Sequence, residues 1–182
     1  MITPTKQPTN IKKILILGAE CTGKSTLAKD LANTFDTSYV SEYMRLYLEK
    51  KPTGYICQYD DLLPIAMGQI TLENQLSKQA NQYLFCDTGI FEIMAYAFWY
   101  FKKCPDDIIK LVKNSQYDLV LLTDEQGITW QADGMRDLPH GRHKMREHFI
   151  TLLSDFGLDY YSIFGNRQER IQQVNQLLRK LN

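Results

Sequence analysis

The stretch LILGAECTGKSTLAKDL, residues 15–31, constrains the possible fold more than any other part of the chain. An apolar run ends at Gly18, four residues follow, and Gly23, Lys24 and Ser25 lead into a pattern with an apolar residue at every fourth position. Glycines allow the backbone to turn and to approach a ligand closely, because they carry no Cβ atom. The N–H groups of such a loop, and of the helix that follows it, face an anion. The pattern therefore predicts a phosphate-binding loop between a β-strand and an α-helix.

The residue types inside this loop predict which groups contact a nucleotide. The side chain of Lys24 is expected to reach the terminal phosphates, and Ser25 to offer its hydroxyl group to Mg²⁺. The loop predicts that the chain binds ATP with Mg²⁺, although a switch, a motor and a kinase all stay open. The nucleotide-contacting residues predicted here are Gly18, Glu20, Cys21, Thr22, Gly23, Lys24, Ser25 and Thr26.

Apolar runs alternate with helical patterns along the chain. Strands that are apolar on both faces belong to parallel sheets covered by helices on both sides. The sequence therefore predicts an α/β fold with three layers, a P-loop NTPase domain with about five parallel strands, whose size suits the nucleoside or nucleotide kinase type. The predicted strands cover residues 13–18, 38–41, 83–87, 117–123 and 159–165. One predicted helix directly follows the phosphate-binding loop, and the others cover about 60–80, 90–102, 105–115, 145–156 and 166–181.

Size, charge and cysteine content narrow the class of protein. At 182 residues the chain is expected to form one domain, which spans residues 12–182 after a flexible leader of residues 1–11. The 21 basic residues balance the 21 acidic ones, so no long-range field favours a nucleic acid or an anionic membrane as partner. The four cysteines lack metal-binding spacing, which favours reduced thiols in the cytoplasm. The expected partner is a small molecule, and the oligomeric state is left open.

Two observations favour a small kinase over the other proteins that use such a loop. The fourth predicted strand ends in LLTDE and lacks the lysine of a guanine-reading motif. An oligomeric motor ATPase needs a helical subdomain beyond the core, and 182 residues leave little room for one. A small-molecule kinase must hold an acceptor hydroxyl in line with the γ-phosphate and remove its proton.

Two carboxylates follow predicted strands at positions suited to that task. Glu42 comes directly after the second strand in VSEYMR, and Asp87 ends the third strand in FCDTG. Ligands of parallel α/β sheets bind at the carboxyl ends of the strands, where a carboxylate can serve as general base. Asp87 follows an apolar run, which suits an acid that binds Mg²⁺ and leaves Glu42 as the better base. A solvated carboxylate that begins a helix is the alternative interpretation of Glu42.

The segment WQADGMRDLPHGRHKMR, residues 130–146, interrupts the alternation of strands and helices. It carries Arg136, Arg142, Lys144 and Arg146. Mobile cations at this point of a P-loop kinase suit a basic lid that closes over the transferred phosphoryl group. We therefore predict that Arg142 and, second, Arg136 stabilise that group, with a solvated charged loop as the alternative.

Five motifs carry a resemblance to a known family. In order along residues 12–180, GAECTGKST, SEYMR, FCDTG, TWQADGMR and IFGNRQER resemble the motifs of the ribosylnicotinamide kinase domain of the NadR family. The resemblance implies a kinase that uses ATP and Mg²⁺ to phosphorylate the 5′-hydroxyl of nicotinamide riboside, which gives nicotinamide mononucleotide. Only this kinase activity is carried over from the family's longer proteins.

The resemblance also implies roles for single residues. In GNRQER, it implies that Arg167 or Arg170 packs on the adenine base, although a structural salt bridge explains either arginine as well. The lid is expected to meet the acceptor site at the residues of TWQADGMR. The acceptor-binding residues implied by the resemblance are Glu42, Arg45, Asp87, Trp130, Asp133 and Arg136.

Two residues depart from the family pattern. Relatives often have an aromatic residue before the glutamate of the second motif, where this chain has Ser41, and an acid at the position of Gly89. Both departures are expected where the acceptor lies, so a kinase of another nucleoside or deoxynucleoside stays open. A nucleotide-gated regulatory ATPase is the alternative from a different class. The candidates for the missing ring are Tyr43, Tyr47, Tyr96, Trp99 and Trp130.

Overall fold

The computed structural model describes residues 11–131 and 140–181, which form a five-stranded parallel sheet and seven α-helices. None of the helices in these residues is long and apolar enough to cross a lipid bilayer. The strands are β1 (Lys12–Leu17), β2 (Tyr39–Val40), β3 (Tyr83–Asp87), β4 (Leu119–Thr123) and β5 (Tyr161–Ile163). The helices are α1 (Lys24–Thr34), α2 (Tyr43–Leu48), α3 (Leu62–Leu76), α4 (Ile90–Phe101), α5 (Asp106–Asn114), α6 (Arg142–Asp155) and α7 (Arg167–Leu178).

The sheet has the strand order β2-β3-β1-β4-β5, so β1 lies at its centre. Consecutive side chains of a strand point to opposite faces, and on β1 Leu15 and Leu17 face one layer while Ile14 and Ile16 face the other. The first layer contains α3, α4, α5 and α6, and the second contains α1 and α7. The prediction of a parallel sheet covered on both faces is therefore confirmed. The carboxyl end of its central strand leads directly into the phosphate-binding loop.

Some element boundaries differ from those predicted. The two edge strands are shorter than predicted, with two residues in β2 and three in β5. Each of them pairs with a neighbouring strand on one side only. The predicted helix 60–80 is reduced to α3, which follows a 3₁₀ turn at Tyr59–Asp61 that begins with a capping box at Gln58. Because α6 begins at Arg142, the last residues of the predicted lid are helical, whereas residues 132–139 lie outside the described part of the chain.

The short helix α2 was not among the predicted helices, although the alternative interpretation of Glu42 has it begin a helix, and α2 positions this first candidate carboxylate. None of its six residues is buried, so its place depends on the neighbouring helix α3. The ring of Tyr43 occupies the space beside Gly68, where a Cβ atom would overlap it. Gln69 is fully buried, accepts a hydrogen bond from the Tyr43 backbone N–H at 2.8 Å and donates one to the Thr88 carbonyl at 3.1 Å. These contacts fix the start of α2, and with it Glu42, against the turn that follows β3.

Replacing Gly68 by alanine is expected to destabilise the protein, although alanine favours helices. The added methyl group overlaps the ring of Tyr43, and overpacking of this kind typically costs about 1–3 kcal/mol. We expect that cost to exceed the gain of roughly 1 kcal/mol that alanine brings to a helix interior over glycine. Urea unfolding of Gly68→Ala measures the net loss. Gln75→Ala, on the exposed side of α3, is the matched control and should change the free energy of unfolding by less than about 0.5 kcal/mol.

A double variant separates the contact from other effects of the substitution. In Tyr43→Ala the ring is absent, so the further change Gly68→Ala should be neutral or stabilising. An equal loss of stability in both backgrounds would mean that the ring does not limit position 68.

Candidate active site

The loop between β1 and α1 has the backbone shape of a phosphate-binding site. Gly18 has a φ angle of +155° and Gly23 one of +83°, and both angles disfavour residues that carry a side chain. A Cβ atom at position 18 would also overlap the hydroxyl oxygen of Thr123, which shares a hydrogen bond of 2.7 Å with the hydroxyl of Thr22. This pair of hydroxyls anchors the loop to β4. The first N–H groups of α1, which begins at Lys24, have no partner within the helix and are available to an anion.

The ammonium group of Lys24 is held inside the loop. Its Nζ donates hydrogen bonds to the carbonyl oxygens of Gly18 at 2.7 Å and Ala19 at 3.1 Å. Burial alone would lower the pKa of this largely buried group. Three nearby carboxylates outweigh burial and raise the pKa above its ordinary value, so the site holds a fixed positive charge. In decreasing order of effect, these carboxylates belong to Glu92, Asp87 and Glu42.

Asp87 lies at the end of β3, beside the start of α1. It is 3% exposed, it accepts a hydrogen bond from the hydroxyl of Ser25, and its Oδ1 has no hydrogen-bond partner among the described residues. Burial raises the pKa of this carboxyl, and the charge of Lys24 opposes the rise. In nucleotide sites Mg²⁺ is held by one or two protein oxygens, by waters and by phosphate oxygens. Ser25 and Asp87 fit such an ion, whereas the described residues contain no cluster of three or more acidic, histidine or cysteine side chains that could form a complete metal cage.

Glu42 precedes α2 and lines the same cleft as Lys24. Its partly exposed carboxylate accepts a hydrogen bond from Nε of Arg45 at 3.0 Å. The cleft encloses about 1100 Å³, which is at the upper end of the range for small-molecule sites and leaves room for a nucleotide together with an acceptor. The structure thus brings Lys24, Glu42 and Asp87 together, while their chemical roles stay predictions.

Glu92, in the first turn of α4, is a site residue that sequence reasoning missed. It is 2% exposed, its Oε1 lies 3.3 Å from Nζ of Lys24, and the same oxygen accepts a hydrogen bond from the hydroxyl of Thr88 at 3.3 Å. Burial raises its pKa to about 8, the neighbouring acids add to the rise, and the charge of Lys24 opposes it. The signal was a lone glutamate in the apolar stretch IFEIMAYAF, because a buried acid needs a cation or a polar cleft.

The expectation that Gly89 lies at the acceptor is wrong. A Cβ atom at position 89 would lie 2.6 Å from the hydroxyl oxygen of Tyr117 and 2.8 Å from Cδ1 of Leu15, so this position faces the core. The Tyr117 hydroxyl donates a hydrogen bond to the buried carboxylate of Glu73 at 3.0 Å. Ser41 is likewise not among the described residues that line the cleft. Neither Gly89 nor Ser41 is therefore among the described residues that line the cleft.

The aromatic rings beside Glu42 come from α4. Tyr96 and Tyr100 are one helical turn apart, they stack with ring centroids 6.0 Å apart at an interplanar angle of 10°, and both line the cleft. Tyr55 and Phe101 also line the cleft, so several aromatic rings border the space for a planar base. The other candidate rings have contacts of their own: Tyr43 with Gly68, Tyr47 with Asp61, Trp99 with His148 and Trp130 with Arg142.

Arg142, at the start of α6, is attached to the phosphate-binding loop. Its Nη1 donates hydrogen bonds to the carbonyl oxygens of Cys21 at 3.1 Å and Ile128 at 3.0 Å. Its Nε lies 3.2 Å from Oε2 of Glu125, and its guanidinium lies 5.8 Å from the centre of the Trp130 ring. This predicted lid arginine thus lies beside the loop but is engaged with protein groups. Of the other predicted lid residues, Asp133 and Arg136 lie outside the described residues. Lys144 and Arg146 lie on α6, where Nε of Arg146 lies 3.1 Å from Oδ2 of Asp124.

Arg170 is a buried clamp between three segments. It is 3% exposed, and its guanidinium donates hydrogen bonds to the carbonyl oxygens of Gly165 at 2.8 Å, Thr22 at 2.6 Å and Asp124 at 2.8 Å. These carbonyls belong to the turn before α7, the phosphate-binding loop and the segment after β4. The contacts support the structural interpretation of Arg170, although it also lines the cleft.

Arg170→Lys is expected to lower the free energy of unfolding by about 2–4 kcal/mol, because lysine cannot reach three carbonyls and leaves buried oxygens unpaired. The affinity for nucleotide should fall together with the stability, because Arg170 holds the carbonyl of Thr22, which belongs to the phosphate-binding loop. Arg167→Lys is the matched control: the side chain of Arg167 is 73% exposed and pairs with Asp30, a pairing that lysine retains. We expect this control to change stability by less than about 1 kcal/mol. Weakened nucleotide binding by Arg170→Lys at unchanged stability would indicate contact with the base instead of a clamp.

Comparison with known proteins identifies the family to which this chain is similar. Residues 13–170 match a protein-family model described as an AAA domain. A curated relative, the trifunctional NAD biosynthesis/regulator protein NadR of Salmonella typhimurium strain LT2, is 35% identical over 153 residues, which are 82% of this chain and 37% of the relative. The chain therefore spans little more than a third of the length of that relative.

Two solved structures of NadR proteins have a similar fold. One, in complex with NR, gives a TM-score of 0.77 at 22% identity, and the match covers 92% of this chain and 51% of that chain. The other, in complex with NAD and AMP-PNP, gives a TM-score of 0.74 at 22% identity and covers 93% of this chain and 49% of that chain. The predicted P-loop NTPase fold and the predicted similarity to the NadR family are both confirmed, and the chain belongs to the P-loop family that is described as an AAA domain.

Proposed function

We propose that this protein is an ATP-dependent kinase that phosphorylates the 5′-hydroxyl of nicotinamide riboside and gives nicotinamide mononucleotide. The observation that carries the proposal is the proximity of Lys24 to the carboxylates of Glu42 and Asp87, with Lys24 and Glu42 lining one cleft. A loop that binds phosphates, an acid beside the hydroxyl of Ser25 and a second acid at the cleft are the parts that phosphoryl transfer requires. The volume of the cleft, about 1100 Å³, is sufficient for both substrates.

In the proposed mechanism the loop holds ATP and the two carboxylates have separate tasks. Lys24 and the backbone N–H groups contact the β- and γ-phosphates. Ser25 and Asp87 would hold Mg²⁺, which when bound neutralises charge on these phosphates. Glu42 accepts the proton of the 5′-hydroxyl while the 5′-oxygen bonds to the γ-phosphorus. At the same time the bond between the γ-phosphorus and the β,γ-bridging oxygen breaks, and ADP leaves. Arg45, which donates a hydrogen bond to Glu42 at 3.0 Å, keeps this carboxylate oriented.

The remaining predicted residues would complete the two ends of the cleft. Tyr96 and Tyr100 offer ring faces to the nicotinamide, whose pyridinium charge is favoured beside an aromatic face. The hydrogen bond of 3.1 Å from Arg142 to the Cys21 carbonyl supports a role for this arginine near the transferred phosphoryl group. The roles implied by the family resemblance are retained for Trp130, Asp133 and Arg136 at the acceptor. Of the two arginines implied at the adenine, Arg167 keeps that role, because the contacts of Arg170 support a structural one.

The relatives support nicotinamide riboside as the acceptor. The similar curated protein is an NAD biosynthesis/regulator protein, one of the similar NadR structures contains NR, and the other contains AMP-PNP, an analogue of ATP. Because the chain spans 37% of that relative, we propose only the part of its activity that a P-loop kinase domain performs.

We propose the cytoplasm as the location of this activity. All four cysteines are free thiols, as is usual in a reducing compartment. The proposed partners are ATP and a nucleoside, and neither a nucleic acid nor a membrane is proposed.

A direct assay distinguishes the proposed kinase from its alternatives. Protein with ATP, Mg²⁺ and nicotinamide riboside should form ADP and nicotinamide mononucleotide in equal amounts, which liquid chromatography measures. A panel of nucleosides and deoxynucleosides in the same assay tests the acceptor, and a strong preference for another member would replace nicotinamide riboside. Release of ADP at the same rate without an acceptor would indicate a nucleotide-gated regulatory ATPase instead.

Glu42→Gln is expected to lower turnover by about 100-fold or more, because an amide cannot accept the hydroxyl proton. Binding of ATP, measured by calorimetry, should stay nearly unchanged. Asp107→Asn, which alters an exposed carboxylate on α5, is the matched control and should keep full turnover. A loss of less than about tenfold in Glu42→Gln would exclude Glu42 as the general base.

A further inference from the structure

Glu92 stands apart from the residues that the proposed mechanism uses. It is 2% exposed, and its Oε1 lies 3.3 Å from both Nζ of Lys24 and the hydroxyl oxygen of Thr88. Its second oxygen, Oε2, is buried and has no hydrogen-bond partner among the described residues. The side chain lines the main cleft and also a small annex of about 30 Å³ beside Glu42 and Tyr96. A buried acid with one unsatisfied oxygen at a ligand site requires an explanation.

More negative than positive charge is gathered around this acid. Glu92 contacts one cation, Lys24, and two further acids lie close enough to influence it. Burial, together with these acids, raises the pKa of Glu92 to about 8 against the effect of Lys24. Lys24 together with Arg45, which pairs with Glu42, supplies two positive charges against three carboxylates. The titratable groups that face Glu92 are Lys24 of α1, Glu42 before α2, Asp87 of β3 and Tyr96 of α4. The uncharged Gln69 and Thr88 also face it, and Arg45 pairs with Glu42.

The ammonium group of Lys24 has no donor left for a phosphate. It carries three N–H bonds. It makes three contacts, with the carbonyls of Gly18 at 2.7 Å and Ala19 at 3.1 Å and with Glu92 at 3.3 Å. A phosphate oxygen can bind only when one contact is given up. The contact with Glu92 is the longest and leads to another element, whereas the two carbonyls belong to the loop itself, so phosphate binding separates Lys24 from Glu92.

We propose that Glu92 is a positioning residue that holds Lys24 in the loop, releases it to the phosphates of the nucleotide and takes up a proton as it does so. The proton comes from water or a buffer acid and binds to Oε2, the oxygen without a partner. An ionised carboxylate left without its cation in a buried site is strongly unfavourable, and a neutral carboxyl group is not. The inference rests on the proposed nucleotide binding at the loop and is independent of the identity of the acceptor.

The pH dependence of nucleotide affinity follows from this exchange. In the free protein the pKa of Glu92 is about 8, and in the nucleotide complex it is higher because Lys24 has left. The complex therefore holds more protons than the free protein. Affinity should be constant below a pH of about 8 and fall above it, by up to about tenfold per pH unit. The pKa of Lys24 is raised above its ordinary value, so its charge does not change in this range.

Isothermal titration calorimetry with the Mg²⁺ complex of AMP-PNP measures the proton directly. At pH 8.5, titrations in buffers with different heats of ionisation should show uptake of about one half to three quarters of a proton per nucleotide. Glu92→Gln, which keeps the shape of the side chain without its charge, should lose this uptake and bind with an affinity independent of pH. Any titration of the nucleotide itself is the same in both proteins, so the difference isolates Glu92. Asp107→Asn, the surface control, should keep the uptake.

The outcomes separate this inference from the proposed function. Binding without proton uptake in the unaltered protein, or with equal uptake in Glu92→Gln, would overturn the role of Glu92 alone. If a thermal melt shows that Glu92→Gln does not fold, the measurement on the unaltered protein decides, because it needs no variant. The absence of any binding would remove the proposed function and this inference with it.

Discussion

The buried guanidinium of Arg170 holds together the edge of the sheet on which the whole site depends. It joins the carbonyl of Thr22 in the phosphate-binding loop to those of Asp124 after β4 and Gly165 before α7. Arginine offers five N–H donors in one plane, so it can reach three acceptors that a single ammonium group could not span. A loop fixed in this way presents its N–H groups to a phosphate with little further ordering, which favours both binding and phosphoryl transfer.

The charges around this fixed loop are unequal, and each acid has a different means of compensation. Three carboxylates, those of Glu42, Asp87 and Glu92, share the field of Lys24. An excess of negative charge would repel a polyphosphate unless it were neutralised where the phosphates bind. The charge of Glu42 is compensated by Arg45, with which it is paired. Asp87 lies beside the hydroxyl of Ser25, and the two suit a metal ion. Burial of Glu92 favours its protonated, neutral form. Because the three means of compensation differ, three acids can coexist beside a triphosphate.

The layers of the fold could be predicted because their signals are local. The pattern from Gly18 to Ser25 requires a strand before it and a helix after it, and strands that are apolar on both faces occur in covered parallel sheets. The helix α2 was not among the predicted helices, because its six residues, none of them buried, are too few to show a helical repeat. Its position depends on the contact between Tyr43 and Gly68, two residues that are distant in the sequence and whose contact only the tertiary fold reveals.

The site could be predicted where its residues end or directly follow a strand, as Glu42 and Asp87 do. Beyond the strand the chain turns, and the alternation of side chains no longer tells which of them faces the cleft. Gly89 was therefore assigned to the acceptor, whereas its position faces the hydroxyl of Tyr117 in the core. Glu92 was missed, although the first turn of α4 directs its carboxylate at the loop. A side chain at position 89 would begin in the space that the Tyr117 hydroxyl fills, whereas Glu92, two residues into the helix, has its carboxylate beside the phosphate-binding lysine.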